Sequence, residues 1–257
     1  MEGINIVDTN ADNILEYGVC GYKNIKREGY SEKIEWIKKR YSEGMKIKIL
    51  YSKKDGTQGM IEYIPSEYCW RPVNAGGYMF IHCIFVYKRA YKGKGYGSLL
   101  IDECLNDAKE KNMHGVAVVT RKGSFMVDKD IFVKKSFKVV DTMPPDFELL
   151  VKQFNKKAPV PEFKKDWGKR LKLYDKGLTI IRADQCPYTV KNVREIIETA
   201  KKKYGMKPNI INLKNHKEAQ DSPCAFGIFC IIYNGKVISY HPISNKRFQN
   251  IMKKEIK

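Results

Sequence analysis

The chain has 257 residues, of which 43% are hydrophobic and 30% are charged, and its formal net charge is +19. This length and hydrophobic share suffice for one large or two modest domains with packed cores. No apolar run is long enough to cross a bilayer, and residues 1–5 lack the basic and apolar regions of a secretory signal. We therefore expect neither a membrane partner nor secretion.

The positive charge is concentrated in the second half of the chain. Residues 1–150 contain 24 Lys+Arg and 20 Asp+Glu, whereas residues 151–257 contain 24 and 9. Such a surface can bind nucleic acid or another polyanion. Arginine is scarce beside lysine, and no RNA-binding or zinc-finger spacing is present. We favour a solvated lysine-rich surface over nucleic-acid binding, and a polyanion-binding module stays as an alternative.

The cysteine pattern indicates reduced thiols. Seven cysteines occur at irregular spacing without a CxxC pair, which argues against a structural zinc site. Reduced thiols are typical of cytoplasmic proteins, and we expect that location. The cysteines are Cys20, Cys69, Cys83, Cys104, Cys186, Cys224 and Cys230.

The first half alternates between strand-like and helix-like segments, which is typical of an α/β protein. A short strand at residues 4–7 precedes a helix that Thr9 or Asn10 could cap, and Ser31 is the predicted cap of a helix over residues 31–41. Further strands are predicted at residues 46–51, 57–64, 78–86 and 115–120, and a helix at residues 98–111.

A basic, glycine-rich turn at residues 92–97 connects the strand at 78–86 to the helix at 98–111. Glycines let the backbone approach phosphate oxygens, and the N–H groups at a helix N-terminus attract the anion. The GxGxG spacing differs from the Rossmann fingerprint, and the Gly-Lys-Ser/Thr of a Walker loop is absent. The turn therefore predicts another class of phosphate site.

The turn resembles the acyl-CoA motif R/Q-x-x-G-x-G/A of the GNAT acetyltransferase superfamily, with Lys92 in the first position. The segments 59–63, 80–86 and 115–120 resemble the third, fourth and fifth strands of that fold, and residues 134–137 resemble its Lys-Gly-Phe ending with Ser136 replacing glycine. The resemblance covers about 150 residues. Residues 68–72 and 80–83 are similar to a subgroup that carries a C-terminal YoaP-like domain.

The resemblance implies acetyl-CoA as co-substrate, no metal, and direct transfer of the acetyl group to a primary amine. Backbone N–H groups around two residues of the fourth strand would hold the pantetheine arm, and the turn would hold the pyrophosphate. Two basic residues before the turn could reach the adenosine phosphates. In chain order, the implied binding residues are Phe85, Val86, Lys88, Arg89, Lys92, Gly93, Lys94, Gly95, Tyr96, Gly97 and Ser98.

The general acid and base of many family members are missing at the positions that the resemblance implies. The tyrosine acid would stand at Phe132, and the strand at 80–86 contains no glutamate base. Glu62, His82, Cys83 and Tyr78 are the candidate substitutes, and a water-relayed proton is compatible with each. Three of the candidates also have a structural interpretation: His82 and Cys83 as core residues, and Glu62 as a paired carboxylate.

A proline- and lysine-rich stretch at residues 155–165 is predicted to be a linker, or to wrap the first domain. Beyond it, residues 178–183, 209–213, 226–233 and 236–240 are predicted strands, with helices at 190–204 and from the cap Ser244 to about 254. This order, β-α-β-β-β-α, resembles the thioredoxin fold. Residues 186–189 resemble a glutaredoxin active-site turn with Thr189 in place of the second cysteine.

Cys186 is therefore a further candidate catalytic residue, because a helix N-terminus and neighbouring basic residues favour a thiolate. A monothiol cycle, or resolution by Cys224 or Cys230, competes with a scaffold role that binds substrate or dimerises.

We expect a GNAT-type mixed sheet flanked by helices in a domain of residues 1–153. A basic linker at 154–176 and a smaller thioredoxin-like α/β domain at 177–257 follow.

The predicted function is acetyl-CoA-dependent N-acetyl transfer to an amine that the sequence does not identify. The competing hypothesis is a monothiol redox or thiol-binding protein that acts through Cys186, with a first domain that only binds CoA. The sequence does not determine the oligomeric state.

Overall fold

The computed structural model describes residues 3–22 and 24–256. Part of the N-terminal stretch 1–5 therefore lies outside the described residues. The chain divides into two compact units. The first comprises Met1–Ile25, Ile34–Cys69 and Val73–Phe163, and the second comprises Lys26–Lys33, Trp70–Pro72 and Lys164–Lys257. The division into domains 1–153, 154–176 and 177–257 stays a prediction.

Strands and helices alternate through the first part of the chain. Short 3₁₀ turns at Ser66–Tyr68 and Arg89–Tyr91 interrupt the connections. In chain order the strands and α-helices are β1 (Ile4–Thr9), α1 (Ile14–Tyr17), α2 (Tyr30–Tyr41), β2 (Lys46–Ser52), β3 (Gly56–Pro65), β4 (Val73–Asn74), β5 (Tyr78–Val86), α3 (Tyr96–Glu110), β6 (Gly115–Arg121), α4 (Asp130–Val133), β7 (Lys138–Met143), β8 (Phe147–Gln153) and β9 (Glu162–Phe163).

The first unit is built on a seven-stranded sheet, counted over the described residues, with the order β1-β2-β3-β5-β6-β8-β7. Neighbouring strands are antiparallel except β5 and β6, which are parallel. One face packs on α3, whose buried residues beyond the first turn recur at i, i+1, i+4, i+5 and i+8 and form an apolar stripe. They are Leu100, Ile101, Cys104, Leu105 and Ala108. The α/β class with a large mixed sheet is confirmed.

Three predicted helix starts in the first unit differ from the structure. Helix α1 begins at Ile14 and follows Asn13, so the prediction that Thr9 or Asn10 caps it is wrong. Helix α3 begins at Tyr96, two residues before the predicted start, because Gly95 (φ 82°) takes the left-handed conformation and the helix follows directly. Helix α2 begins at Tyr30, so the prediction that Ser31 caps it is wrong. The Ser31 hydroxyl lies in the first turn and donates to Glu32 Oε2 at 2.8 Å.

The end of the first unit is an extended segment held by specific contacts. Strand β9 pairs with β4 through Val73 and Phe163. The Tyr78 hydroxyl donates to the Pro159 carbonyl at 2.9 Å, and Gln153 Nε2 donates to the Ala158 carbonyl at 3.2 Å. Residues 158–163 therefore pack against strands of the first unit.

The second unit contains a four-stranded sheet, counted over the same described residues. Its α-helices and strands are α5 (Trp167–Leu171), β10 (Leu178–Arg182), α6 (Tyr188–Tyr204), β11 (Asn209–Asn212), α7 (His216–Gln220), β12 (Phe229–Tyr233), β13 (Lys236–Ser239) and α8 (Asn245–Glu255). The sheet order is β11-β10-β12-β13, with β10 parallel to β11 and antiparallel to β12.

The turn and the helix cap that the sequence predicts for the second unit are confirmed. Asn234 (φ 46°) and Gly235 (φ 77°) form the two-residue turn between β12 and β13. The Ser244 hydroxyl accepts the Arg247 N–H at 3.3 Å and caps α8. Strand β12 begins at Phe229, three residues after the predicted start. None of the helices in the described part of the chain is both long and apolar enough to span a membrane.

Helix α4 ends in a left-handed residue that is not glycine. Ser136 has φ 65°, and the following Phe137 N–H donates back to the Phe132 carbonyl at 3.1 Å, which is the pattern of a Schellman motif. The Phe132 and Phe137 rings lie 5.4 Å apart in an edge-to-face contact. The position that resembles the family's glycine therefore keeps the conformation that glycine favours.

We expect Ser136→Gly to raise the free energy of unfolding by about 0.5–1 kcal/mol, because glycine removes the cost of the left-handed conformation. Urea unfolding measures this change. Ser124→Gly, at an exposed serine without a positive φ, is the matched control and should not stabilise the protein. A lower free energy of unfolding for Ser136→Gly would contradict the interpretation.

Candidate active site

The central feature of the first unit is a split between its two parallel strands. Strands β5 and β6 pair only from Tyr78↔Gly115 to Ile81↔Val118. Beyond that point β5 continues beside β3 to Val86, and β6 continues beside β8 to Arg121. The N–H and C=O groups of a strand point alternately to its two edges. Those of residues 84–86 that point away from β3 therefore have no strand partner within the described part of the chain.

A β-bulge at His82 accompanies the split. Glu62 pairs with Cys83, but the next residue of β3, Tyr63, pairs with Ile81, so His82 is the extra residue. Ile81 and Ile84 both belong to the core cluster under α3. The bulge thus places the two intervening residues, His82 and Cys83, on the opposite face of the sheet.

Three of the predicted catalytic residues meet at this bulge. His82 Nδ1 lies 3.3 Å from Glu62 Oε1, and both side chains are fully buried. The rings of Trp36 and Phe80 lie 6.3 and 6.0 Å from the His82 ring. Cys83, the cross-strand partner of Glu62, is partly exposed. The structure therefore brings Glu62, His82 and Cys83 together in a largely apolar environment.

The charge of the Glu62 carboxylate also affects the pKa of Tyr41 on α2. Burial raises the pKa of Tyr41 to about 12, opposed by a hydrogen bond with Thr9, and the charges of Asp8 and Glu62 add to the rise. The Tyr41 hydroxyl lies 3.0 Å from Thr9 Oγ1. Tyr41 therefore stays protonated at neutral pH and leaves Glu62 without a phenolate neighbour.

The glycine-rich turn ends at the N-terminus of α3. Gly93 (φ 74°) and Gly95 (φ 82°) take conformations that other residues rarely adopt. The first intrahelical bond runs from the Leu99 N–H to the Gly95 carbonyl at 3.0 Å, so the N–H groups of residues 96–98 have no intrahelical acceptor. A Cβ at Gly93 or Gly95 would meet no atom within 4 Å, so space is open in front of the turn.

Gly97 has a packing role in this turn. A Cβ at Gly97 would lie 2.6 Å from Ile131 Cδ1, so glycine lets α3 approach the residues of α4 closely. The three glycines of the motif thus have two different purposes. Gly93 and Gly95 shape the backbone, and Gly97 fixes the helix against its neighbour.

The segment before the turn is tied to the β2–β3 hairpin. The Tyr91 hydroxyl donates to Asp55 Oδ2 at 2.7 Å and lies 3.1 Å from Ser52 Oγ, and Lys88 Nζ donates to Asp55 Oδ1 at 2.9 Å. These contacts, the Tyr91 bond first, lower the pKa of Asp55. Sequence reasoning missed this tether because Asp55 resembles an ordinary turn residue and lies far from the motif. Lys92 and Lys94 are exposed.

The remaining sequence-predicted residues lie elsewhere. Phe132, at the position of the family's acid, is fully buried against Phe137. Cys186 belongs to the second unit and precedes α6, which begins at Tyr188 and not at residue 190. The Thr189 hydroxyl donates to the Cys186 carbonyl at 2.8 Å. The Cys186 thiol is partly exposed, whereas those of Cys224 and Cys230 are buried.

The first unit thus combines a mixed sheet, two parallel strands that separate, and a glycine-rich turn that leads into a helix. The acetyltransferase (GNAT) family matches residues 16–124, and the YoaP-like family matches residues 209–250. The chain is 30% identical to the uncharacterized N-acetyltransferase YoaP of Bacillus subtilis (strain 168) over 250 residues, which are 96% of this chain and 97% of that protein.

Two solved structures show weaker similarity. The structure of yncA from Salmonella typhimurium with its cofactor acetyl-CoA is 14% identical, covers 61% of this chain and 97% of its own, and gives a TM-score of 0.46. A GNAT family acetyltransferase from Brucella melitensis in complex with acetyl-CoA is 15% identical, covers 63% and 93%, and gives 0.40.

The chain belongs to the GNAT family of N-acetyltransferases, with a YoaP-like C-terminal segment. It is an N-acetyltransferase, and the predicted reaction class is confirmed.

We expect Gly95→Ala to weaken acetyl-CoA binding at least tenfold, because a left-handed alanine is strained by about 1–2 kcal/mol and turns the N–H groups of the turn. Calorimetric titration with acetyl-CoA measures this. Gly168→Ala is the control, since a Cβ there meets nothing within 4 Å and φ is not positive. Unchanged affinity in Gly95→Ala would show that the turn does not hold the ligand.

Proposed function

We propose that residues 92–98 bind the pyrophosphate of acetyl-CoA and that the pantetheine arm enters the split beside Phe85 and Val86. The observation that carries this proposal is the end of β5–β6 pairing at Ile81 and Val118, because it leaves strand edges open for hydrogen bonds. The N–H groups that precede Leu99 and the exposed Lys92 and Lys94 supply positive potential at one end of this opening.

The proposed reaction is a direct transfer. The ammonium of the acceptor loses a proton, and its nitrogen forms a bond to the thioester carbonyl carbon. The C–S bond breaks, the sulfur leaves as thiolate and takes a proton, and the second proton of the attacking nitrogen is released. The products are an amide, CoA thiol and one net proton. Strand N–H groups that face the split would stabilise the carbonyl oxygen as negative charge develops on it.

His82 is our candidate for the base that takes the proton from the acceptor, and Glu62 is the group that holds the imidazole in position. The 3.3 Å contact between them, in a fully buried setting, supports this pairing. Cys83 is the partly exposed member of the cluster and is our candidate for the acid that protonates the departing sulfur.

We expect Glu62→Gln and His82→Asn to lower kcat by about 10²-fold or more, the range typical of a lost acid–base group, while acetyl-CoA still binds. Thiol release in the presence of an amine gives kcat, and calorimetry gives the affinity. Glu110→Gln, at an exposed carboxylate at the end of α3, is the control. Wild-type turnover in both variants would exclude this assignment, and a wild-type protein that did not bind acetyl-CoA would exclude the proposed site itself.

We also propose that the second unit is thioredoxin-like. The sheet order β11-β10-β12-β13, with a parallel β10–β11 pair, a helix between them and an antiparallel hairpin beside β10, supports this assignment. A scaffold role for this unit is preferred over a redox role. Burial raises the pKa of Cys230 well above its ordinary value, so Cys230 is a poor resolving thiol.

The redox alternative makes a separate prediction about Cys186. If Cys186 were an active thiolate, iodoacetamide would modify it at pH ~7 at least tenfold faster than the other cysteines, since thiolate is the reactive form. We expect no such preference. Peptide mapping after brief alkylation measures it, with Cys83, the other partly exposed cysteine, as internal reference. Selective modification of Cys186 would favour the monothiol function.

A cytoplasmic location is also proposed. The seven cysteines are thiols and not disulfides, and thiols persist in a reducing compartment. The proposed acceptor is a primary amine.

A further inference from the structure

The glycine-rich turn at residues 92–97 is anchored at its C-terminal end by the helix that follows it. Tyr96, the first residue of α3, is buried in the core cluster, and Gly97 packs closely on α4. Before these anchors, Gly93 and Gly95 have left-handed φ angles. Glycine loses more conformational freedom on ordering than any other residue. A second anchor at the N-terminal end of the turn would therefore lower the entropy that ligand binding costs.

Tyr91 lies where such an anchor is needed. It ends the short 3₁₀ turn Arg89–Tyr91, one residue before Lys92. Its ring packs against the core cluster and lies 5.8 Å from the ring of Tyr96. Its hydroxyl donates to Asp55 Oδ2 at 2.7 Å. The start of the glycine-rich turn is thus fixed by one side chain that has both apolar and polar contacts.

The carboxylate of Asp55 joins two side chains of the segment before the turn. One of its oxygens accepts the Tyr91 hydroxyl, and the other accepts Lys88 Nζ at 2.9 Å. These contacts, the Tyr91 bond first, lower the pKa of Asp55, so the carboxylate is ionised at neutral pH. A hydrogen bond to an ionised acceptor is stronger than one between neutral groups. Asp55 therefore holds Tyr91 in place more firmly than a neutral acceptor would.

The backbone of the turn between β2 and β3 fixes Asp55 itself. The Asp55 N–H donates to Ser52 Oγ at 3.2 Å. The fully buried Gln58 donates through Nε2 to the Asp55 carbonyl at 2.7 Å and to the Gly56 carbonyl at 3.1 Å. The Gln58 carbonyl in turn accepts the Tyr87 N–H, just after β5, at 2.7 Å. The carboxylate is therefore held on a turn that is itself bonded to the sheet.

The sign of the charge on Asp55 separates two possible roles. The proposed site takes a pyrophosphate, and a nearby carboxylate repels an anion. If Asp55 acted only through its charge, its removal would strengthen ligand binding. If it acted through its bond to Tyr91, its removal would free the start of the glycine-rich turn and weaken binding, because a preorganised loop loses less entropy when the ligand arrives.

We propose that Asp55 is a positioning residue for acetyl-CoA, which acts through Tyr91 to fix the N-terminal end of the turn at residues 92–97. This inference rests on the proposed function, in which that turn binds the pyrophosphate. It assigns a role to the β2–β3 turn, which lies some forty residues before the motif in the sequence.

The test is calorimetric titration with acetyl-CoA of four variants: Asp55→Ala, Tyr91→Phe, the double variant and Asp55→Asn. We expect Asp55→Ala and Tyr91→Phe each to raise Kd by about tenfold or more, because each breaks the same charge-assisted hydrogen bond. The double variant should bind no more than about twofold more weakly than Asp55→Ala, since residues that act through one interaction are not additive. Asp55→Asn should stay within about threefold of the wild type, because the amide oxygen can still accept the Tyr91 hydroxyl.

Asp12→Ala, at an exposed carboxyl, and Tyr233→Phe, at a partly exposed tyrosine, are the matched controls and should leave Kd unchanged. Urea unfolding checks that each variant is folded under the conditions of the titration. Wild-type or tighter binding by Asp55→Ala, additive losses in the double variant, or Asp55→Asn as weak as Asp55→Ala would overturn the positioning role. The proposed function would survive each of these results if Gly95→Ala still lost affinity. It would itself fail if the wild type did not bind acetyl-CoA.

Discussion

The early end of pairing between β5 and β6 is the constraint on which the site depends. Strand β5 keeps its neighbour β3 and strand β6 keeps its neighbour β8, while β5 and β6 separate from each other beyond Ile81 and Val118. Open strand edges normally cost free energy or invite aggregation. Here the cost is offset because the separation is short and the rest of the seven-stranded sheet remains paired. The bulge at His82 belongs to the same geometry, since a bulge bends its strand and increases the local twist.

Five strands of the first unit could be predicted because each is an apolar or alternating run, as β2 and β3 are on either side of the turn at Asp55 and Gly56. They are β1, β2, β3, β5 and β6. The bulge could not be predicted. His82 and Cys83 are compatible with either face of a strand, and only the pairing of Glu62 with Cys83 and of Tyr63 with Ile81 reveals the extra residue. Likewise, the Asp55 tether to Tyr91 depends on tertiary contacts that no local pattern encodes.

Helix starts could also be predicted only in part from the sequence. The Ser244 cap was predictable because a polar residue precedes an amphipathic run, and its hydroxyl accepts the Arg247 N–H. Ser31 presents the same local signal, but α2 starts one residue earlier and the Ser31 hydroxyl bonds Glu32 instead. Tyr30 is fully buried, and the Lys33 N–H donates to the Gly29 carbonyl at 3.2 Å, so the first turn of the helix already includes Tyr30.

The bulge at His82 lies beside a carboxylate, Glu62 of β3, although β5 itself contains no glutamate. The family resemblance implied a glutamate base on this strand, and residues 80–86 contain none. Cross-strand neighbours in an antiparallel pair lie about 5 Å apart on one face, so a side chain on β3 can reach the same volume as one on β5. Because the bulge places His82 and Cys83 together on the face of Glu62, the carboxylate comes within 3.3 Å of His82 Nδ1. We infer that a carboxylate–imidazole pair shared by two strands replaces a single residue on one strand.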